Sequence, residues 1–136
     1  MPALAQLSQK SYKGTTYADH VQFVYVYTVE AHPKSPDPSA YSGKVWESTY
    51  STLPEPKTYA DRVKNAKTHE ANINHKHLLL VDDLTPGKQN NPVWCTYGTC
   101  PNCSFLIRQD GLLAEVLRRT PNKVAALETS LKKLLP

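Results

Sequence analysis

Val21-Gln22-Phe23-Val24-Tyr25-Val26-Tyr27-Thr28-Val29 decides the fold class, because every residue in it except Gln22 is β-branched or aromatic. Length and composition predict a strand buried on both faces, the kind that lies in a parallel sheet with helices on each side. Downstream, residues 30–56 hold five of the eleven prolines and no sustained periodicity, which predicts a long, proline-stiffened loop inserted into the domain. A polar helix over 57–69 follows, with Tyr59, Val63 and Ala66 on its apolar face, and His77-Leu78-Leu79-Leu80-Val81 reads as a second buried strand ending at Asp82-Asp83. Upstream, Leu4, Leu7 and the stem of Lys10 mark a short helix that ends before Gly14.

After the Pro86-Gly87 turn, residues 104–108 and 112–117 flank Gln109-Asp110-Gly111, a hairpin signal. Thr120 as N-cap and Pro121 at the first helical position open a closing helix, whose stripe is Val124, Leu127, Leu131 and Leu134. The order is helix, strand, helix, strand, then hairpin and helix. That is an α/β fold with parallel strands first.

The chain has 136 residues, a size suited to one domain over 1–136. Its sixteen basic and twelve acidic side chains give +4, spread along the chain, which argues against nucleic acid as partner. No run approaches ~18 apolar residues, and residues 1–7 lack a charged n-region and an apolar h-region. The expectation is a soluble, cytoplasmic protein that needs no membrane.

All three cysteines, Cys95, Cys100 and Cys103, fall within nine residues, and Cys100-Pro101-Asn102-Cys103 is a C-x-x-C. Three is an odd number and too few for a disulfide scaffold. The spacing suits a short-loop disulfide, a redox couple or two ligands of one metal. A plant-type iron–sulfur pattern would need a fourth cysteine. Zinc on Cys95, Cys100 and Cys103, completed by His75 or His77, is the minor alternative; no metal or other cofactor is assigned, and the expected reductant is an external thiol. Cys100 stands in an extended segment ahead of a strand, where no helix N-terminus lowers its pKa, so neutral structural thiols are the competing reading.

Glu30 and His32 lie just past the end of the first buried strand, where ligands of open α/β sheets bind. His32 could protonate a leaving group or bind a phenolate, with Glu30 fixing its tautomer; the plainer alternative is a loop histidine without a task. Trp46, Tyr41 and Tyr50 in the proline-rich loop, with Trp94 and Tyr97 near the cysteines, could cover an aromatic ligand or serve only packing.

Val24-Tyr25-Val26-Tyr27-Thr28-Val29-Glu30-Ala31-His32-Pro33 resembles the strand and E-A-H loop of the iodothyronine deiodinase family and its bacterial redoxin relatives. Val81-Asp82-Asp83, Asn91, Tyr97-Gly98, Pro101-Asn102 and Phe105-Leu106-Ile107 through Asp110-Gly111 are similar to that family's later blocks, in the same order. The resemblance implies a thioredoxin-like domain: a central mixed sheet of parallel strands plus a C-terminal hairpin, flanked by helices. It implies a substrate- or proton-handling role for Glu30 and His32.

The resemblance implies a strand and turn carrying the nucleophile ahead of a helix similar to residues 2–10, so the expectation is that the given sequence begins one step late and lacks them. Filling that gap would span about two strand spacings, about 10 Å. The flanking strands would have to pair directly, shift, or accept a strand from another chain, as in a strand-exchanged homodimer; a fragment or a misassigned start explains the pattern equally. Two functions follow. One is a thiol-dependent oxidoreductase of deiodinase-like or peroxiredoxin-like type, using Cys100 and Cys103 with Glu30 and His32 on a small-molecule substrate, by reductive dehalogenation or peroxide reduction. The other is a catalytically silent thioredoxin-like binding module or fragment.

Overall fold

The computed structural model describes residues 2–46, 52–73, 77–87, 90–98 and 102–136. Among them the order is α1 (Pro2–Gln9), β1 (Ser11–Tyr12), β2 (Thr15–Thr16), β3 (Val24–Tyr27), α2 (Tyr59–Ile73), β4 (Leu78–Val81), α3 (Pro92–Tyr97), β5 (Ser104–Ile107), β6 (Leu113–Leu117) and α4 (Val124–Leu134), with 3-10 turns at Tyr17–Asp19 and Thr120–Asn122. The fold is mixed α/β, built among the described residues from four helices and two-stranded sheets. No helix among them is long and apolar enough to cross a membrane. The chain divides into two units, Met1–Phe23 with Cys100–Pro136, and Val24–Thr99.

In the first unit, α1 buries Leu4 and Leu7, as their spacing predicts, and packs against α4, which buries Leu127 and Leu131. Lys13 (φ 47°) and Gly14 (φ 84°) form the two-residue turn between β1 and β2, where positive φ at both positions matches the right-handed twist of the strands. Asp19 closes the following turn by accepting the Thr16 amide at 2.8 Å. The buried Tyr17 donates its hydroxyl to Glu128 Oε1 at 3.3 Å.

Glu128 also receives Lys10 Nζ at 2.6 Å and Lys132 Nζ at 2.9 Å. The hydrogen bonds from the two ammonium groups hold its carboxyl well below the usual range, at about 2. A carboxylate depressed in the folded state contributes stability above its unfolded pKa, and that contribution fades as pH falls from about 4.5 through about 2. Glu128→Gln is therefore expected to cost on the order of 1 kcal/mol near neutral pH, after screening of the exposed lysines, and almost nothing near pH 2. Thermal melts at the two pH values check this.

The closing helix starts later than its cap signals predict. Thr120 and Pro121 belong to a 3-10 turn, and α4 begins at Val124 with Lys123 at the N-cap. The buried Thr120 hydroxyl donates backward to the Leu117 carbonyl at 3.0 Å, tying this turn to the end of β6. The hairpin forms as expected, with Ser104↔Leu117, Phe105↔Val116, Leu106↔Glu115 and a bulge before Ile107↔Leu113. Its turn is fixed by Arg108 on the Asp110 carboxylate at 2.7 Å and by the Leu112 amide on the same group at 3.0 Å.

In the second unit, β3 and β4 run parallel with Val24↔Leu78 through Tyr27↔Val81 in register. Strand β3 is shorter than its composition predicts, spanning four residues, and the Val21 amide ahead of it is taken by the Tyr17 carbonyl in the preceding turn. Nor is β3 buried on both faces. Helix α2 packs on β4, and alternate residues of both strands are exposed, among them Val24 at 44% and Leu78 at 51%. Helix α2 begins one residue after Thr58, whose hydroxyl accepts the Asp61 amide at 3.1 Å while Asp61 accepts the Thr58 amide at 2.9 Å. Its buried stripe is Arg62, Asn65 and Ala66 rather than Tyr59, Val63 and Ala66; Tyr59 is exposed.

Candidate functional site

The strand β3 delivers Tyr27 to its last position, and three residues later the chain presents Glu30. The Tyr27 hydroxyl donates to Glu30 Oε2. Burial, reinforced by this bond, raises the Tyr27 pKa far above the ordinary phenol range, so the proton stays on the phenol while Glu30 accepts it.

The loop that follows is folded back on itself by polar contacts. The buried Ser39 donates to the Ala31 carbonyl at 2.7 Å and accepts the Tyr41 and Ser42 amides at 3.2 and 3.3 Å, which ties residues 39–42 to the Glu30-Ala31-His32 turn. Farther along, the Lys34 amide donates to the Leu53 carbonyl at 2.7 Å, and Asn65 of α2 holds the Pro54 carbonyl at 2.8 Å.

These ties bring the predicted residues together in pairs. The exposed His32 ring meets Trp46 edge to face at 4.8 Å, and the Trp46 indole N–H donates to Ser42 Oγ at 3.2 Å. Tyr41 meets Trp94 of α3 at 5.9 Å, also edge to face. Glu30 thus engages Tyr27, and His32 engages Trp46. Tyr97 ends α3 with 48% of its surface exposed. Tyr50, His75, Cys100 and Pro101 lie outside the described residues. Tyr25 and His77 stack at 5.6 Å across the β3–β4 pair.

Helix α3 stands in the segment ahead of the C-x-x-C, where the sequence pattern predicts no element. Its signals are Asn91 at the N-cap and Pro92 in the first turn. Cys95 sits on this helix as an exposed free thiol, and Cys103, just before β5, is disulfide-bonded. In that state Cys103 has no thiolate to offer a metal. Among the described residues no group of three or more His, Cys, Asp or Glu could hold a metal ion.

No protein-family model, curated protein or solved structure matches the chain. The site's reading therefore rests on its own chemistry.

Sequence reasoning missed the polar network beneath the site. Arg62, 1% exposed, donates from Nη1 to the Asp82 and Asp83 carbonyls at 3.2 and 3.1 Å and from Nη2 to Asn91 Oδ1 at 2.6 Å. Burial lowers the guanidinium pKa, and the neighbouring carboxylates, Asp82 foremost, oppose the shift. The buried Asp82 carboxylate accepts the Val93 and Trp94 amides at 2.9 Å each. A polar stripe at i, i+3 on α2 was the available signal, since Arg62 and Asn65 share the face of Ala66.

Glu55 completes the cluster. Its amide is held by Asp37 at 3.2 Å, yet its Oε2 is buried without a hydrogen-bond partner, as is Arg62 Nε. Burial first, with the nearby Glu30 charge adding to it, raises the Glu55 pKa above the ordinary carboxyl value of 4.5. A raised carboxyl pKa means stability present in acid and lost as pH rises through the folded value. Glu55→Gln is accordingly expected to stabilise the protein by on the order of 1 kcal/mol near pH 7 and to have no effect near pH 4. Equal melting of the two proteins at both pH values would contradict this assignment.

Proposed function

We propose that the chain is a thiol-dependent oxidoreductase of deiodinase-like or peroxiredoxin-like type on a thioredoxin-like scaffold, working in the cytoplasm with an external thiol as reductant. The observation that carries this reading is the state of the cysteines: Cys103 is disulfide-bonded and Cys95 is free. An oxidised C-x-x-C at Cys100 and Cys103 requires this state. The two reduced thiols close to a disulfide and pass two electrons to the acceptor; peroxide leaves as two waters, or an aryl iodide leaves as arene and iodide with one proton to each. The external dithiol then reopens the disulfide.

Within the second unit, Tyr27 donates to Glu30, His32 meets Trp46, and the aromatic rings of Trp46 and Trp94 offer apolar faces to an aromatic ligand, with Tyr97 exposed at the end of α3. The test is consumption of dithiothreitol by the purified chain with peroxide and para-iodophenol as parallel acceptors. Acceptor-dependent consumption supports the reading, and consumption no faster than without protein sinks it.

A second reading is a silent thioredoxin-like binding module, including a homodimer with strand exchange. It is favoured by one observation: Val24, Val26, Leu78 and Leu80 lie in register and are all exposed. Binding of para-iodophenol without turnover, or a dimer in solution, is its mark.

A further inference from the structure

Helix α3 has six residues, none of them buried. So short a helix is not stable by itself, and its side chains, with Pro92, Val93 and Trp94 only half-buried, give it no fully buried anchor. What holds it is polar and concentrated at one end. The Asp82 carboxylate takes the Val93 and Trp94 amides, and Arg62 takes the side chain of Asn91, the left-handed residue (φ 56°) at which the chain turns into the helix. The Asn91 amide is itself tied to the Asp83 carbonyl at 2.8 Å. Arg62 in turn grips the carbonyls of Asp82 and Asp83, so one buried guanidinium joins the end of β4 to the start of α3.

We propose that Arg62, Asp82 and Asn91 are positioning residues that set the placement of α3 and hence of Trp94 against Tyr41. The proposal rests on the reading of Trp46 and Trp94 as an aromatic-ligand surface. The lock makes that surface conditional: α3 keeps Trp94 in place only while its polar attachments hold.

Two variants test it. Asn91→Gly deletes the carboxamide that Arg62 holds while keeping a residue at ease with positive φ, and Asp82→Asn keeps shape but cannot accept two amide protons with a full carboxylate. In a Trp46→Phe background Trp94 is the only tryptophan, so acrylamide quenching reports its exposure alone. The expected result is a rise in the quenching constant of about two-fold in Asn91→Gly and more in Asp82→Asn, with the far-ultraviolet circular dichroism of the folded chain kept. With Trp46 restored, calorimetry should show para-iodophenol affinity falling about five-fold. Quenching unchanged in a folded Asn91→Gly overturns the proposal, whether or not Asp82→Asn folds. If para-iodophenol binds not even the parent, the aromatic-ligand reading fails, and the quenching result still decides whether the lock exists.

Discussion

Arg62→Ala is expected to destabilise the protein by about 3–5 kcal/mol, the largest stability loss of any single substitution considered. Arg62 is almost fully buried, and its removal would strand two backbone carbonyls and the Asn91 carboxamide and leave the buried Asp82 carboxylate without its nearby cation. Stranded acceptors in low dielectric cost far more than the net worth of the bonds they lose, and the vacated volume adds a cavity. Arg62→Lys should recover little, because a single ammonium cannot reproduce a planar fork that reaches three acceptors on two elements. Denaturant melts read the loss directly. A cost below about 1 kcal/mol would mean that water replaces the guanidinium without penalty and that the network is not a structural centre.

The second large effect is catalytic. Cys100→Ser and Cys103→Ser are each expected to reduce acceptor-dependent thiol consumption by at least about a hundred-fold, to the uncatalysed background, because a serine can neither attack as a thiolate nor close a disulfide. Cys95→Ser should keep most of the rate, since Cys95 is a free thiol outside the couple. Circular dichroism of each variant separates loss of chemistry from loss of fold. Turnover retained in folded Cys103→Ser would place the electrons elsewhere and make the disulfide structural.

What was legible in the sequence is what local pattern controls. The β5–β6 hairpin follows from Asp110-Gly111 between two apolar runs, α1 from the spacing of Leu4 and Leu7, and β4 from its run of leucines. The errors come where groups outside a segment's own pattern intervene. Strand β3 spans only Val24–Tyr27, and the Val21 amide ahead of it is held by the Tyr17 turn, which no period within residues 21–29 encodes. Helix α3 is held by Asp82, eleven residues before Val93, and by Arg62, twenty-nine before Asn91, contacts that its local composition does not encode. The buried face of α2 was misplaced because a hydrophobicity count ranks Tyr59 above Arg62, whereas the fold needs a fork of donors at the end of β4.

The candidate site divides along the same line. Glu30, His32, Tyr41, Trp46 and Trp94 could be named from their place after a strand and in aromatic-rich segments, but the pairing of Tyr41 with Trp94 and the partners Tyr27 and Ser42 could not. Glu55 was invisible because nothing in Leu53-Pro54-Glu55-Pro56 signals burial of a carboxylate. Its raised pKa is a property of the folded neighbourhood, set by burial and by the Glu30 charge.

The measurement that bears most directly on the account is a thiol count across one turnover. The protein is fully reduced, freed of reductant under anaerobic conditions, mixed with one equivalent of peroxide or para-iodophenol, quenched and titrated for free thiols under denaturing conditions. The account predicts a fall from three thiols to one per chain, with Cys95 the survivor by peptide mapping and Cys100 joined to Cys103. Three thiols remaining with both acceptors, or oxidation that falls on Cys95 while Cys100 and Cys103 stay reduced, would contradict it.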